Sequence, residues 1–280
     1  MEATLKDMAP TIGVFDSGFG GLTVLRALVE RFPHARFAFL GDTARLPYGS
    51  KSRRTIARYA AQSAQFLVNE QGAEFLVIAC NTASALALDA IQDAVSVPVL
   101  GVIEPGATAA RAASRTGDVL VVATEATVHS GAYTAACQAQ GLRVLEKACP
   151  LLVPLVEEGW TDHPVTAEVI EIYLNELRAE AESRGMNPDT LVLGCTHYPL
   201  LRPLFEKAVR PGAKVIDSAE SVAQAAAQLL SGTAAPGATG GAPQTEVRCF
   251  ATDSVEKFER LGSRFLGRPV GHVELIDLGG

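Results

Sequence analysis

The chain has 280 residues, 48% hydrophobic and 20% charged, a globular profile long enough for two lobes and without an apolar run long enough to span a membrane. A net charge of −7 with no basic tract argues against nucleic acid as a partner, and five cysteines without a Cys-x-x-Cys or Cys/His zinc spacing argue against a disulfide framework or a structural metal. The opening Met1-Glu-Ala-Thr-Leu-Lys-Asp7 has neither the basic start nor the apolar core of a secretory signal, so the expectation is a cytoplasmic protein with reduced thiols.

Residues 11–15 read as a strand, and Asp16-Ser17-Gly18-Phe19-Gly20-Gly21 as a tight turn into a helix with Leu22, Leu25, Leu28, Val29 and Phe32 on one side. Glycines there suit a close backbone approach to a ligand, and the first-turn N–H groups favour an anion. The dinucleotide fingerprint fails on spacing, because Thr23 stands where its third glycine belongs. A second strand, 37–41, leads into the polar loop Gly41-Asp42-Thr-Ala-Arg45-Leu-Pro47-Tyr48-Gly49-Ser50, with Ser50 the expected cap of a helix that Gly72 closes. The apolar run 75–79 then ends at Cys80-Asn81-Thr82-Ala-Ser84. After another strand, 97–103, Glu104-Pro105-Gly106 reads as the crossing between lobes.

Helix 107–114, strand 119–123 ending at Thr124, helix 128–140 and strand 142–145 continue the alternation. The apolar stretch from Cys149 ends in Glu157-Glu158, one of which is expected to border the site, and a long helix follows over 165–183. The run Leu191-Val-Leu-Gly-Cys195-Thr196-His197 repeats the setting of Cys80, and strand 214–216 and helix 219–231 come after it. Residues 231–244, nearly all Ser, Gly, Thr, Ala and Pro, read as a flexible surface loop. The tail from Glu246 forms one more strand–helix–strand unit that completes the first lobe. The fold class expected is α/β, with two pseudo-symmetric doubly wound lobes of mostly parallel sheet and the active site in the cleft between them. The first lobe would comprise 1–102 and 212–280 and carry Cys80; the second would comprise 103–211 and carry Cys195.

Two thiols that end two similar apolar strands stand where open α/β sheets bind ligands. Only a thiolate is a useful base or nucleophile, and a position at a helix start beside Asn81, Thr82 or Thr196 would favour that charged form. Asp16 and His197 are the companions able to handle protons. Cys137, Cys149 and Cys249 lack this setting and read as structural, as do His34, His129, His163 and His272. Opposed thiols without a cofactor motif suit inversion of a carbon that bears a hydrogen, one group removing a proton from one face while the other delivers one to the opposite face. A redox pair forming a reversible Cys80–Cys195 disulfide, and a binding protein for an anionic metabolite, remain alternatives.

At these motifs the chain resembles the glutamate racemases of the cofactor-independent aspartate/glutamate racemase family. The matching stretches are 13–23, 41–49, 79–84, 101–106, 153–157 and 193–199, in the family's order from residue 12 to about 267. The resemblance implies interconversion of L- and D-glutamate for peptidoglycan biosynthesis, with no cofactor or metal, in a protein that is commonly a homodimer; an aspartate racemase is the nearest alternative. It implies that Cys80 takes the proton from D-glutamate and Cys195 from L-glutamate, with Asp16, Glu157 and His197 as auxiliary acid–base residues. It also implies substrate contacts from Asp16, Ser17, Pro47, Tyr48, Gly49, Asn81, Thr82, Thr124, Thr196 and His197.

Overall fold

Short, unbroken apolar runs bury both faces only in a parallel sheet covered by helices on each side. The computed structural model, which describes residues 10–231 and 245–279, forms two such sheets. Its strands are β1 (Thr11–Asp16), β2 (Arg36–Gly41), β3 (Phe75–Ile78), β4 (Val99–Gly101), β5 (Asp118–Ala123), β6 (Arg143–Ala148), β7 (Thr190–Gly194), β8 (Lys214–Asp217), β9 (Glu246–Ala251) and β10 (Val273–Leu275). The first sheet has the order β10-β9-β2-β1-β3-β4 and the second β6-β5-β7-β8, with every pairing parallel. Strands β1, β3, β5 and β7 are buried along their whole length, whereas the edge strand β6 carries Glu146 and Lys147 on a partly exposed course.

The strand order locates the ligand crevice. From β1 the chain goes to β2 on one side and only then to β3 on the other; from β5 it goes to β6 on one side and then to β7 on the other. Each sheet therefore has a topological switch point, between β1 and β3 and between β5 and β7, where ligands bind beyond the carboxyl ends. Phe15 lies opposite Ile78, which sets Asp16 beside the segment leading to Cys80. Ala123 lies opposite Gly194, which sets Thr124 beside Cys195.

Several elements differ from the sequence reading. The return to the first sheet expected at residue 212 comes later: β8 pairs with β7, and the chain crosses back through the helix Ser218–Ser231, which packs on the helices Leu22–Arg31 and Ile103–Ala113. Four residues of strand carry too little pattern to say which sheet accepts them. The chain passes from β4 of the first sheet to β5 of the second where expected, but Glu104-Pro105-Gly106 does so as the first turn of the helix Ile103–Ala113, where a proline forfeits no intrahelical hydrogen bond. Gly131, with φ +67°, breaks the expected helix 128–140 into Glu125–Ser130 and Ala132–Ala139. Ser52 rather than Ser50 caps the helix Arg53–Asn69, its Oγ accepting from Thr55 N at 3.3 Å, because Tyr48–Ser50 forms a turn of its own. The expected loop 231–244 lies outside the described residues apart from Ser231. Among the described residues no helix is long and apolar enough to cross a membrane.

Candidate active site

Cys80 follows Ala79 after β3 and caps the short helix Asn81–Leu86; its sulfur accepts from Ala83 N at 3.4 Å while its thiol donates to Ser17 Oγ at 3.3 Å. Cys195 leaves β7 in the same way, with its sulfur 4.0 Å from His197 Nδ1. Both side chains are only 5% exposed. Burial, with the Asp16 charge behind it, pushes the Cys80 thiol up to about 11, against the pull of Ser17 and Ala83. Burial drives Cys195 up further, against the His197 N–H, and negative charge on Cys80 or Asp16 adds to the rise. The helix-start argument predicted the opposite direction. One short turn of N–H donors does not offset removal of a thiolate from water on all sides.

Asp16 ends β1 and is 1% exposed. Its Oδ2 accepts from Gly18 N at 3.0 Å, whereas Oδ1 is buried without a hydrogen-bond partner. Burial raises its pKa against the pull of His197 and of the Gly18, Gly21 and Ser17 N–H groups. His197 packs against the rings of Phe19 and Phe265, with centroids 6.0 and 5.0 Å away, and its Nε2 lies 3.4 Å from Glu157 Oε1. Glu157 also accepts from Lys257 Nζ at 3.2 Å. Of the two adjacent carboxylates Glu157 and Glu158, Glu157 is thus the one that reaches the histidine.

The glycine turn also packs against the Cys195 segment. A Cβ on Gly20 would collide with Thr196 Oγ1 and lie 2.6 Å from His197 Nδ1, so the bare backbone lets the first sheet's turn close against the Cys195 segment. Thr23 secures that approach by donating to Gly20 O at 3.0 Å and to Thr196 O at 3.2 Å. The first two N–H groups of the helix Leu22–Arg31 turn back onto the loop, Leu22 N to Phe19 O and Thr23 N to Gly20 O.

Asn81 is 3% exposed; its Oδ1 accepts from Tyr133 OH at 2.7 Å and its Nδ2 is buried without a partner. The hydroxyls of Thr82, Thr124 and Thr127 form a triangle with sides of 3.0, 3.3 and 2.9 Å that ties the Cys80 helix to the start of Glu125–Ser130. Gly49 lies against Thr124, and with Lys51 it faces Leu86, Glu125 and His129 across a cleft of about 520 Å³, so His129, read as structural, lines an opening. Pro47 precedes Tyr48, whose OH is committed to Asp42 Oδ2 at 2.6 Å and is held there protonated by burial and by that carboxylate. The tyrosine ring therefore shapes the 46–49 loop through Asp42, which Thr252 holds from the other side at 2.9 Å.

Thr23, Thr127, Tyr133 and Lys257 were missed as site residues. Thr23 and Thr127 stood next to residues already singled out, but nothing local marked Tyr133 or Lys257. Among the described residues no group of three His, Cys, Asp or Glu side chains is placed to hold a metal ion.

A family model described as Asp/Glu/hydantoin racemase matches residues 12–226. The chain is 55% identical to a glutamate racemase from Koribacter versatilis, over 97% of this chain and 98% of that protein. Among solved structures it superimposes on a glutamate racemase isoform from Bacillus anthracis with a TM-score of 0.86 and 35% identity, over 96% of this chain and 98% of that one. It also matches the glutamate racemase from Francisella tularensis in complex with D-glutamate, with a TM-score of 0.85 and 35% identity over 97% and 98% of the two chains. Fold, strand-end thiols and relatives thus define an isomerase of the amino-acid racemase class. The chain belongs to the Asp/Glu/hydantoin racemase family.

Proposed function

We propose that this racemase interconverts L- and D-glutamate by a two-base mechanism in which Cys80 and Cys195 are the paired acid and base. The observation that carries the reading is that the two thiols leave corresponding strands at the switch points of two similar sheets, with a buried acceptor at Asp16 Oδ1 and a buried donor at Asn81 Nδ2 still unpartnered between neighbours. An α-amino acid brings the complementary pair, an ammonium that needs an acceptor and a carboxylate that needs a donor. The full-length likeness to glutamate racemases supports glutamate as the substrate.

In the proposed reaction, Cys80 as thiolate removes the Cα proton of D-glutamate; the C–H bond breaks, an S–H bond forms, and the electron pair stays on carbon. Cys195 then gives its proton to the opposite face. From L-glutamate the roles reverse. A thiol made weakly acidic by burial leaves, once ionised, a stronger base, which narrows the gap to a weakly acidic Cα–H. Asp16 holds the ammonium, while Ser17, Asn81, Thr82, Thr124 and Thr196 and the backbone of the Pro47, Tyr48 and Gly49 turn bind carboxylates. His197, backed by Glu157, serves the Cys195 proton.

The same proposal includes supply of D-glutamate to peptidoglycan, a cytoplasmic setting, and a homodimer. Among the described residues, its lobe division gives the first lobe residues 10–102 and the chain that returns after β8, and the second lobe residue 103 through β8.

The test is circular dichroism of D-glutamate with reduced protein in deuterium oxide, with chelator and without added cofactor, followed by proton NMR. The optical signal should decay to zero and deuterium should replace hydrogen at Cα. Persistence of both signals with folded protein, or their loss with aspartate alone, would overturn the reading.

A further inference from the structure

Tyr133 is fully buried on the helix Ala132–Ala139 and meets the chain neighbour of each thiol. Its OH donates to Asn81 Oδ1 at 2.7 Å, and Asn81 follows Cys80. Its ring lies over Gly194, which precedes Cys195: a Cβ on Gly194 would stand 2.9 Å from the ring's Cε2, and one on Gly106 3.3 Å from Cε1. The glycines of two separate motifs therefore make one slot, and the slot holds this ring.

The contact also settles which way the Asn81 amide faces. A phenol can donate or accept, so proximity alone does not choose. With Oδ1 toward Tyr133, Asn81 Nδ2 is left as the single buried atom of the pair without a partner. With the amide turned over, both the phenol proton and Oδ1 would be stranded, and two buried orphans cost more than one. Burial pushes the Tyr133 pKa well above its ordinary value, so the proton is available to donate throughout the working range.

We propose that Tyr133 is a positioning residue of the racemase site: it fixes the Asn81 amide with Nδ2 toward the substrate carboxylate and, by seating against Gly194, keeps the two thiol-bearing chain ends in register. The proposal rests on the glutamate reading above and extends it to a side chain that touches the reaction only through others.

Tyr133→Phe keeps the ring in its slot and removes the hydroxyl. KM for both enantiomers of glutamate should rise about tenfold, with a much smaller change in kcat and a melting temperature lower by a few degrees, because the buried Asn81 Oδ1 loses its donor. In an Asn81→Ala background the same substitution should add nothing to KM. A wild-type KM, or an equal rise in both backgrounds, overturns the proposal. Asn81→Asp supplies a second arm should Tyr133→Phe fold poorly. It still accepts from Tyr133 but turns an oxygen toward the carboxylate, so it should bind glutamate no better than Asn81→Ala; near-normal KM would overturn the assigned orientation.

If the wild-type protein failed to turn over glutamate, the underlying reading would fall by itself. The tyrosine's role is then read without turnover, from the Asn81 side-chain amide in ¹⁵N-labelled protein. Its two proton signals should be sharp and distinct in the wild type and broadened in Tyr133→Phe, and an unaltered pair overturns the positioning role.

Discussion

Lys257 Nζ lies 3.2 Å from Glu157 Oε2, a contact between residues 100 positions apart, while the other oxygen of the same carboxylate lies 3.4 Å from His197 Nε2. Lys257 stands on the helix Val255–Leu266 that follows β9 of the first sheet, and Glu157 ends the helix Leu152–Glu157 that follows β6 of the second. The ion pair thus spans the two sheets directly behind His197. Burial raises the Glu157 carboxyl, but His197 and Lys257 together more than reverse it and hold the group below its ordinary value.

Replacing Lys257 by Met should therefore move the Glu157 pKa upward in a carbon-13 carboxyl titration. A carboxylate with a depressed folded pKa contributes stability above its unfolded pKa and loses it as pH falls through the folded value. Lys257→Met should weaken that contribution by no more than about 1 kcal/mol at neutral pH, since the lysine side chain is 45% exposed. An unmoved Glu157 titration would mean that the pair is not formed in solution.

Cys80→Ala and Cys195→Ala should each slow racemisation by about 10²–10⁴-fold, the usual worth of a positioned acid or base. They should differ in what survives. With Cys80 absent, Cys195 can still remove and return the proton of L-glutamate, so solvent deuterium should enter L-glutamate without inversion. Cys195→Ala should do the same with D-glutamate alone. Identical exchange of both enantiomers by both variants would contradict the assignment of one thiol to each face.

All five cysteines are free and buried. Burial raises Cys80 and Cys137 from 9.0 to about 11 and Cys149 and Cys249 to about 12. The unfolded chain then releases thiol protons at lower pH than the native protein does, so the native state binds more protons through that window and stability falls as pH rises. Melting temperature should drop progressively from about pH 8.5, where ordinary thiols titrate, up to pH 11. At pH 8 the Cys80 peptide should also react with iodoacetamide far more slowly than an ordinary cysteine, its thiolate fraction being about a hundredfold lower. Rapid alkylation of Cys80 at neutral pH would show that the site opens to water in the absence of substrate.

Gly20→Ala tests the close approach between the sheets. Its methyl group would stand 2.6 Å from His197 Nδ1 and 2.8 Å from Cε1, so the Cys195 segment has to shift. A displacement near 1 Å at a proton-transfer site costs about 10²-fold in kcat/KM. The expected result is that loss with a much smaller loss of stability, read by parallel kinetics and urea denaturation. Wild-type kinetics would mean that Thr196 and His197 give way freely.

Much of this protein could be read from its residues. β3 and β7 are unbroken apolar runs buried at every position, so their type and their role in a parallel sheet followed from composition and length. The two thiols stood out because one local pattern occurs twice, and Asp16 because it ends a strand of the lobe that carries Cys80, whereas Thr124 entered only through the family resemblance. These are local signals, and a strand end is where a parallel sheet presents its chemistry.

Tertiary structure decided the rest, because it depends on which distant surfaces meet. Thr23 reaches Thr196 across 173 positions, Lys257 reaches Glu157 across 100, and Tyr133 reaches Asn81 across 52. No window of sequence contains either end's reason for the other. The same holds for β8, whose four residues join whichever sheet offers them an edge, and for Gly20, whose missing side chain makes sense only once His197 is beside it. It holds most of all for the thiols: their place in the chain predicts an easily ionised group, but a pKa is set by all the atoms that displace water, and the folded chain leaves each thiol only 5% exposed.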